Sequence, residues 1–114
     1  MQTTPNLSPR LPAPVAGYFA HETTSPAAVA RCFTEDALVV DERHEHRGRA
    51  AIEAWNAAAN GKYKLTTELL AAESDGPRAT VRAKVAGNFP GSPIELRFRF
   101  TLAGGLISRL EIAP

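Results

Sequence analysis

The spacing of hydrophobic residues along the first half of the chain is helical. Apolar residues recur three and four positions apart in three stretches, which predicts three helices. The first runs from residue 13 to residue 22, and the second begins at the cap and proline pair Ser25–Pro26. The third begins beyond Gly48 and is expected to end at Asn60–Gly61. The apolar stripe expected on the second helix consists of Val29, Cys32 and Phe33.

The second half of the chain alternates between apolar and polar residues, which predicts strands. Four long strands follow residue 62, with turn signals at Asp75–Gly76, at residues 88–91 and at Gly104–Gly105. A shorter strand over residues 37–40 leads into Asp41, and the polar segment 41–49 is expected to form a turn or a short hairpin. Because the alternation gives the sheet one apolar face, the three helices must cover that face. We therefore predict an α+β fold, a cone-shaped, curved antiparallel or mixed sheet whose three N-terminal-half helices enclose a pocket.

Length, charge and cysteine content exclude several classes of protein. The 114 residues fit one domain, expected at residues 13–114, after a proline-containing flexible arm at residues 1–12. The net charge of +1 argues against a general affinity for nucleic acid or for anionic membranes. The single cysteine, Cys32, excludes an internal disulfide and a multi-cysteine zinc site. No stretch has the apolar length of a membrane span or of a secretory signal, so a cytoplasmic location is the default expectation.

Two side chains are suited to proton transfer beside an apolar pocket. Asp41 ends an apolar strand, where burial would raise the pKa of its carboxyl and suit it to take a proton from carbon. The alternative for Asp41 is a turn residue paired with Arg43 or Arg47. Tyr18 lies on the apolar face of the first helix, where its hydroxyl could stabilise a developing oxyanion. The alternative for Tyr18 is a core tyrosine whose hydroxyl finds a protein partner.

The H-x-H pair His44 and His46 has the spacing of two metal ligands on a strand. A glutamate a few residues later and a further downstream histidine are missing, so no metal site is predicted and solvated histidines are favoured. Either histidine could also assist a proton transfer. Trp55 and Tyr63 either line a cavity for a flat hydrophobic ligand or belong to the core.

Arginines share the polar faces of the last two strands. Arg97 and Arg99 alternate with apolar residues on one strand, and Arg109 follows on the next. Such a stripe binds an acidic ligand or, as we favour, forms a solvated or subunit-facing sheet surface. The motifs of nucleotide hydrolysis and dinucleotide binding do not occur, and no cofactor is predicted.

Three strings carry a family resemblance in their order and spacing. Residues 33–41 (FTEDALVVD) are similar to an F-x-x-D-A-x-x-x-D pattern, residues 47–52 (RGRAAI) to an R-G-x-x-A-I helix start, and residues 98–107 to a final hairpin. All three are found in the nuclear transport factor 2-like superfamily, which includes ketosteroid isomerases and SnoaL-like polyketide cyclases. The chain resembles this superfamily over most of residues 13–113.

The resemblance implies a cone fold, a small hydrophobic carbonyl compound as substrate, and a homodimer formed through the outer sheet face. Asp41 falls where ketosteroid isomerases have their general base, and Tyr18 falls near their oxyanion-hole tyrosine. Leu96 stands where those enzymes have an aspartic acid, so the chain departs from their pattern there. The expected activity is an isomerase, cyclase or dehydratase type of proton transfer. The alternative is a non-catalytic ligand-binding or dimeric interaction domain. The residues expected to line the substrate pocket are Trp55, Tyr63, Phe19, His44, His46 and Phe98.

Overall fold

The computed structural model describes residues 11–114, and most of the predicted arm, residues 1–10, lies outside the described residues. The elements are α1 (Ala13–His21), α2 (Pro26–Arg31), β1 (Phe33–Asp41), β2 (His44–Arg47), α3 (Arg49–Tyr63), β3 (Thr66–Asp75), β4 (Arg78–Ala86), β5 (Ile94–Ala103) and β6 (Leu106–Ala113). The predicted order of helices and strands is confirmed. None of the described helices is long and apolar enough to cross a membrane.

The six strands form one mixed, curved and unclosed sheet in the order β2-β1-β6-β5-β4-β3. Every pair of neighbours is antiparallel except β1 and β6, which run parallel. The β3–β4 pairing shifts register between Leu69 and Ala71, and the β5–β6 pairing shifts between Thr101 and Leu102. Such irregularities bend a strand and increase its twist, which is how a sheet acquires the curvature of a cone. The predicted α+β cone architecture is therefore confirmed.

Of the helix ends predicted from the sequence, the structure confirms the start of α2 but not the end of α3. Ser25 caps α2 as predicted, because its Oγ accepts a hydrogen bond from the Ala28 amide at 3.2 Å. The predicted end of α3 at Asn60–Gly61 is wrong. The helix continues to Tyr63 and ends with Lys64 in the left-handed conformation, where the Lys64 amide donates to the Asn60 carbonyl at 3.1 Å.

Two aromatic residues belong to different elements than the pattern predicted. Phe33 was expected on the second helix but is the first residue of β1, fully buried in the core. Tyr63 was expected at the start of a strand but is the last residue of α3. In both cases a tertiary contact outweighs the local pattern. Phe33 pairs with Ile107 of β6, and Tyr63 packs edge-on against Phe89 with ring centroids 5.7 Å apart.

The strand alternation divides the sheet into a covered face and an outer face. Along β4 every second residue from Ala79 to Val85 is buried beneath the helices, while Arg82 and Lys84 face outward. On β5, Phe98 and Phe100 are buried, and Arg97 and Arg99 are exposed. The arginine side of the last strands is therefore the outer face of the cone. The core lies between the three helices and the covered face of the sheet, with Val29 as the contribution of α2.

Candidate functional site

The β1–β2 hairpin turns three polar side chains toward the helices. Val39 is completely buried in the core, so Asp41, two residues further along β1, points to the same side of the sheet. In the antiparallel pairing His46 lies opposite Val39 and His44 lies opposite Asp41. The two histidines and Asp41 therefore share the side of the sheet that the helices cover. The outward positions of the same hairpin belong to Glu45 and Arg47.

The turn that joins the two strands has an unusual backbone. Glu42 and Arg43 have φ values of 52° and 67°, so two consecutive non-glycine residues adopt the left-handed conformation. This is the geometry of a tight two-residue hairpin of type I′, which matches the twist of the strands and is usually built from Asn-Gly or Asp-Gly. Side chains other than Gly, Asn and Asp adopt this conformation at an energetic cost. The hairpin holds Asp41 at its last paired position in spite of that cost.

Trp55 fixes the orientation of Asp41. The indole Nε1 of Trp55, on α3, donates a hydrogen bond to Asp41 Oδ2 at 3.0 Å. Partial burial raises the pKa of Asp41, and the nearby charge of Glu42 raises it further, while the Trp55 bond and the charge of His46 lower it. Burial is the largest of these effects, so the carboxyl is a stronger base than a solvated aspartate. The second oxygen, Oδ1, makes no side-chain hydrogen bond within residues 11–114.

A groove of about 230 Å³ opens beside this carboxyl. It contains four of the side chains that the sequence proposed for catalysis or binding, together with Asp41 itself. The lining residues are Asp41, Glu42, His44, His46, Trp55, Ala58, Ala59, Lys62 and Tyr63. The His46 and Trp55 rings lie 5.9 Å apart at an interplanar angle of 33°, and the Lys62 ammonium lies 5.1 Å from the centre of the Tyr63 ring. Asp41 therefore borders a groove whose lining includes the rings of His46, Trp55 and Tyr63.

The remaining predicted residues lie deeper, in a cluster of rings between α1 and the sheet. Tyr18 contacts Phe19, Phe98 and Phe100 at centroid distances of 5.0, 6.3 and 5.6 Å. Tyr18 is 1% exposed and Phe98 is 2% exposed, so the cone is filled around them. In this arrangement the Tyr18 hydroxyl does not line the groove beside Asp41. Its predicted role as an oxyanion donor stays a prediction.

A buried carboxyl that the sequence analysis did not assign lies beside Tyr18. The Tyr18 hydroxyl donates to Glu22 Oε2 at 3.3 Å, and Glu22 is only 6% exposed. Burial raises the pKa of Glu22 to about 7, although the hydroxyls of Thr67 and Tyr18 oppose the shift. Burial also raises the pKa of Tyr18 well above its usual value, with smaller contributions from the charges of Glu22 and Asp41. The signal in the sequence is a glutamate on the apolar face of the first helix, at helical spacing from Val15 and Tyr18.

Two asparagines of α3 bind the backbone of Glu22 at the end of α1. The amide nitrogens of Asn56 and Asn60 donate to the Glu22 backbone carbonyl at 3.0 and 2.8 Å. Their amide oxygens are buried without a hydrogen-bond partner in the described part of the chain, and so is the Thr67 hydroxyl. The cluster is therefore polar, buried and incompletely satisfied, which raises the energetic cost of ionising Glu22.

A larger hollow, of about 350 Å³, lies on the outer face of the sheet, away from these residues. Its walls include Arg82, Arg97 and Arg99, together with the small side chains of Ala71 and Ala72. Arg82 pairs with Glu95 at 3.1 Å, but Arg97 and Arg99 have no ion pair within residues 11–114. The hollow contains none of the predicted catalytic or binding residues. In the same part of the chain, no group of three or more His, Cys, Asp or Glu side chains is arranged to hold a metal ion.

Comparison with known families and structures agrees with this architecture. The SnoaL-like domain family matches residues 15–110, which is most of the chain. No curated protein matches the chain. A solved structure from Sinorhizobium meliloti, provisionally assigned as a polyketide cyclase, is 42% identical and superposes with a TM-score of 0.89. The alignment covers 93% of this chain and 98% of that one.

Two more distant structures share the fold alone. A hypothetical protein with a ketosteroid isomerase-like fold from Catenulispora acidiphila, in complex with trimethylamine, is 22% identical with a TM-score of 0.78. The alignment covers 98% of this chain and 87% of that one. SalBIII, an epoxide hydrolase/cyclase-like enzyme of pyran ring formation in salinomycin, is 22% identical with a TM-score of 0.70, over 88% of this chain and 86% of its own. The family match and the 42% identical structure show that the chain belongs to the SnoaL-like family.

Proposed function

We propose that the chain is a SnoaL-like enzyme that moves a proton on a small hydrophobic carbonyl compound, with Asp41 as the base. The observation that carries the proposal is the state of the Asp41 carboxyl. One of its oxygens is held by Trp55 at 3.0 Å, its pKa is raised by burial, and it borders a groove walled by rings. A carboxylate placed in this way suits removal of a proton from the carbon next to a carbonyl group.

The groove suits the proposed class of substrate. Trp55, His46 and Tyr63 offer flat surfaces, and Ala58 and Ala59 leave space between them. Ring walls with a few polar groups are typical of sites for small apolar ligands. The 42% identical structure is provisionally assigned as a polyketide cyclase, and a cyclase role is compatible with an acid–base site of this kind.

Deuterium uptake tests the proposal directly. The bicyclic ketone 2-tetralone, incubated with the protein in heavy water, should exchange its α-protons faster than in buffer alone, as followed by proton NMR. Asp41→Asn should reduce the rate to that of buffer, because the amide cannot accept the proton. Asn keeps an acceptor for Trp55, and burial disfavours the ionised form of Asp41, so the variant should be at least as stable as the natural chain. Equal rates for the two proteins contradict the proposal.

Binding can be followed separately from catalysis. Trp55 is the only tryptophan of the chain and lines the groove. Its fluorescence should therefore change when 2-tetralone binds, in the natural protein and in Asp41→Asn alike. Binding without exchange would instead favour the second candidate function, a non-catalytic ligand-binding domain. The observation in favour of that candidate is that Tyr18 is buried, donates its hydroxyl to Glu22 and is not among the residues that line the groove.

We also propose that the outer sheet face forms a homodimer. This face carries Arg97 and Arg99 without ion pairs inside the described chain, and Glu111 lies directly opposite Arg99 in the register of β5 and β6. A face with both signs of charge can complement a second copy of itself across a two-fold axis. Light scattering should give twice the chain mass, and Arg97→Glu should shift the equilibrium toward monomer. A monomer at all concentrations contradicts this part of the proposal.

A further inference from the structure

The H-x-H pair of β2 has no part in the proton transfer proposed for Asp41. His44 and His46 point to the same side of the sheet as Asp41, yet their surroundings differ. His44 is exposed, whereas His46 is half-buried and stacks on the Trp55 ring at 5.9 Å. Trp55 in turn donates to Asp41. Asp41, Trp55 and His46 therefore form one contiguous unit drawn from β1, α3 and β2.

Proton removal next to a carbonyl needs a second group. As the carbon loses its proton, negative charge builds up on the carbonyl oxygen, and a donor must neutralise it. Tyr18, the donor expected from the sequence, donates its hydroxyl hydrogen bond to Glu22 inside the ring cluster. The groove itself offers few proton donors. Those of its lining residues are His44, His46, Lys62, Tyr63 and the Trp55 N–H, the last of which is already bonded to Asp41.

We propose that His46 is the proton donor of the groove and protonates the carbonyl oxygen while Asp41 removes a proton from the neighbouring carbon. The inference rests on the proposed function and deepens it by naming a second catalytic residue. The C–H bond breaks and its electron pair forms the carbon–carbon double bond of an enol. The carbonyl π electrons form the new O–H bond with the proton of His46. In the return step the enol O–H gives its proton back to His46, and Asp41, whose acid proton has exchanged with heavy water, delivers a deuteron to the carbon.

The position of His46 supports this assignment over the other donors. Its ring lies beside the Trp55 ring, with centroids 5.9 Å apart, and the β1–β2 register places His46 on the same side of the hairpin as Asp41. The Lys62 ammonium lies over the Tyr63 ring, 5.1 Å from its centre. A histidine is also the side chain best able to give and regain a proton near neutral pH. The charged and titratable groups that share the groove with it are Asp41 and Glu42 from β1 and its turn, His44 from β2, and Lys62 and Tyr63 from α3.

The test compares His46→Gln with His21→Gln in the 2-tetralone exchange assay. His21 ends α1, is exposed and does not line the groove, so its variant controls for the loss of a histidine. His46→Gln should lower the exchange rate by about 100-fold, the lower end of what a positioned acid contributes. His21→Gln should stay within about twofold of the natural protein, as expected for a surface substitution. Trp55 fluorescence should report ketone binding in both variants.

The pH profile separates a donated proton from a merely structural contact. If His46 supplies the proton, part of the pH dependence of exchange by the natural protein comes from this residue, and His46→Gln loses that part. Equal rates and equal pH profiles for His46→Gln and His21→Gln overturn the inference. An exchange rate for the natural protein no faster than buffer, or no faster than Asp41→Asn, overturns the proposed function itself. The two failures therefore give different results.

Discussion

Trp55 donates its indole N–H to Asp41 across fourteen residues of chain, and this 3.0 Å bond joins the end of β1 to the middle of α3. The bond fixes one carboxylate oxygen and stabilises the ionised form of Asp41. Burial acts in the opposite direction and is the larger effect, so the pKa of Asp41 ends above its usual value. The two residues together determine how strong a base the groove contains.

Replacing Trp55 by Phe should raise the pKa of Asp41 further. The ring remains but the N–H is lost, so the ionised carboxylate loses its hydrogen bond. A carbon-13 NMR titration of the Asp41 carboxyl measures the change, with Tyr63→Phe as the control. Tyr63→Phe also alters a groove residue but leaves the bond to Asp41 in place. An Asp41 titration that is the same in both variants would show that the Trp55 bond does not act on the carboxyl.

Glu22 should make the fold less stable as the pH rises through neutrality. Its pKa is raised from 4.5 to about 7 in the folded protein, so the folded state holds a proton that the unfolded chain has already lost. The resulting stabilisation is fully present below the unfolded pKa and is lost as the pH rises through about 7. A shift of this size corresponds to on the order of 3 kcal/mol.

Urea unfolding of the natural protein and of Glu22→Gln measures this effect. Between about pH 5 and about pH 8 the natural protein should lose stability relative to the variant, because Gln resembles the protonated acid at every pH. Glu68 is exposed on β3, so Glu68→Gln provides the control. Its stability should change with pH as that of the natural protein does. Parallel pH dependence of the natural protein and Glu22→Gln contradicts the prediction.

The sequence predicts the sheet better than it predicts the site. Strand alternation identifies the covered positions of β4 and β5, because a residue on one face of a strand has the same surroundings as its neighbour two positions away. The groove is harder to predict, because Asp41, His46 and Trp55 come from three elements. The H-x-H spacing places both histidines on one side of β2 but does not reveal that His46 rather than His44 contacts Trp55.

The buried polar cluster illustrates what the pattern cannot supply. Glu22 directly follows α1 and continues its apolar face, but nothing local indicates that Asn56 and Asn60 of α3 bind its backbone carbonyl 34 and 38 residues away. For the same reason the sequence leaves two roles open for Tyr18, an oxyanion donor or a core tyrosine whose hydroxyl has a protein partner. Its helix face was evident from the sequence, and its partner, Glu22, depends on how α1 packs against α3 and β3.

Gly87 should tolerate no side chain, because it lies against the end of α3. A Cβ at this position would come within 2.6 Å of the Tyr63 carbonyl oxygen, which also accepts the Asn88 amide at 2.8 Å. Gly87→Ala should therefore destabilise the fold by about 1–3 kcal/mol and displace Tyr63 from the groove. Thermal unfolding measures the first effect, and the Trp55 fluorescence response to 2-tetralone measures the second.

Gly61→Ala is the matched control for that substitution. Gly61 lies inside α3, and a Cβ there would contact nothing within 4 Å. Alanine should stabilise the helix by about 0.5–1 kcal/mol, since it loses less backbone entropy on folding. The two Gly→Ala variants should thus move the melting temperature in opposite directions. A destabilised Gly61→Ala would mean that helix propensity does not govern this position.

Arg43 is a position where the natural residue should be less stable than glycine. It adopts a φ of 67° as the second residue of the tight turn after Asp41, a conformation that glycine reaches without steric cost. Arg43→Gly should therefore raise the free energy of unfolding by about 1 kcal/mol. Arg43→Ala removes the same side chain but keeps the Cβ, so it should give no such gain. If both variants shift stability equally, the effect comes from the arginine side chain and not from the backbone.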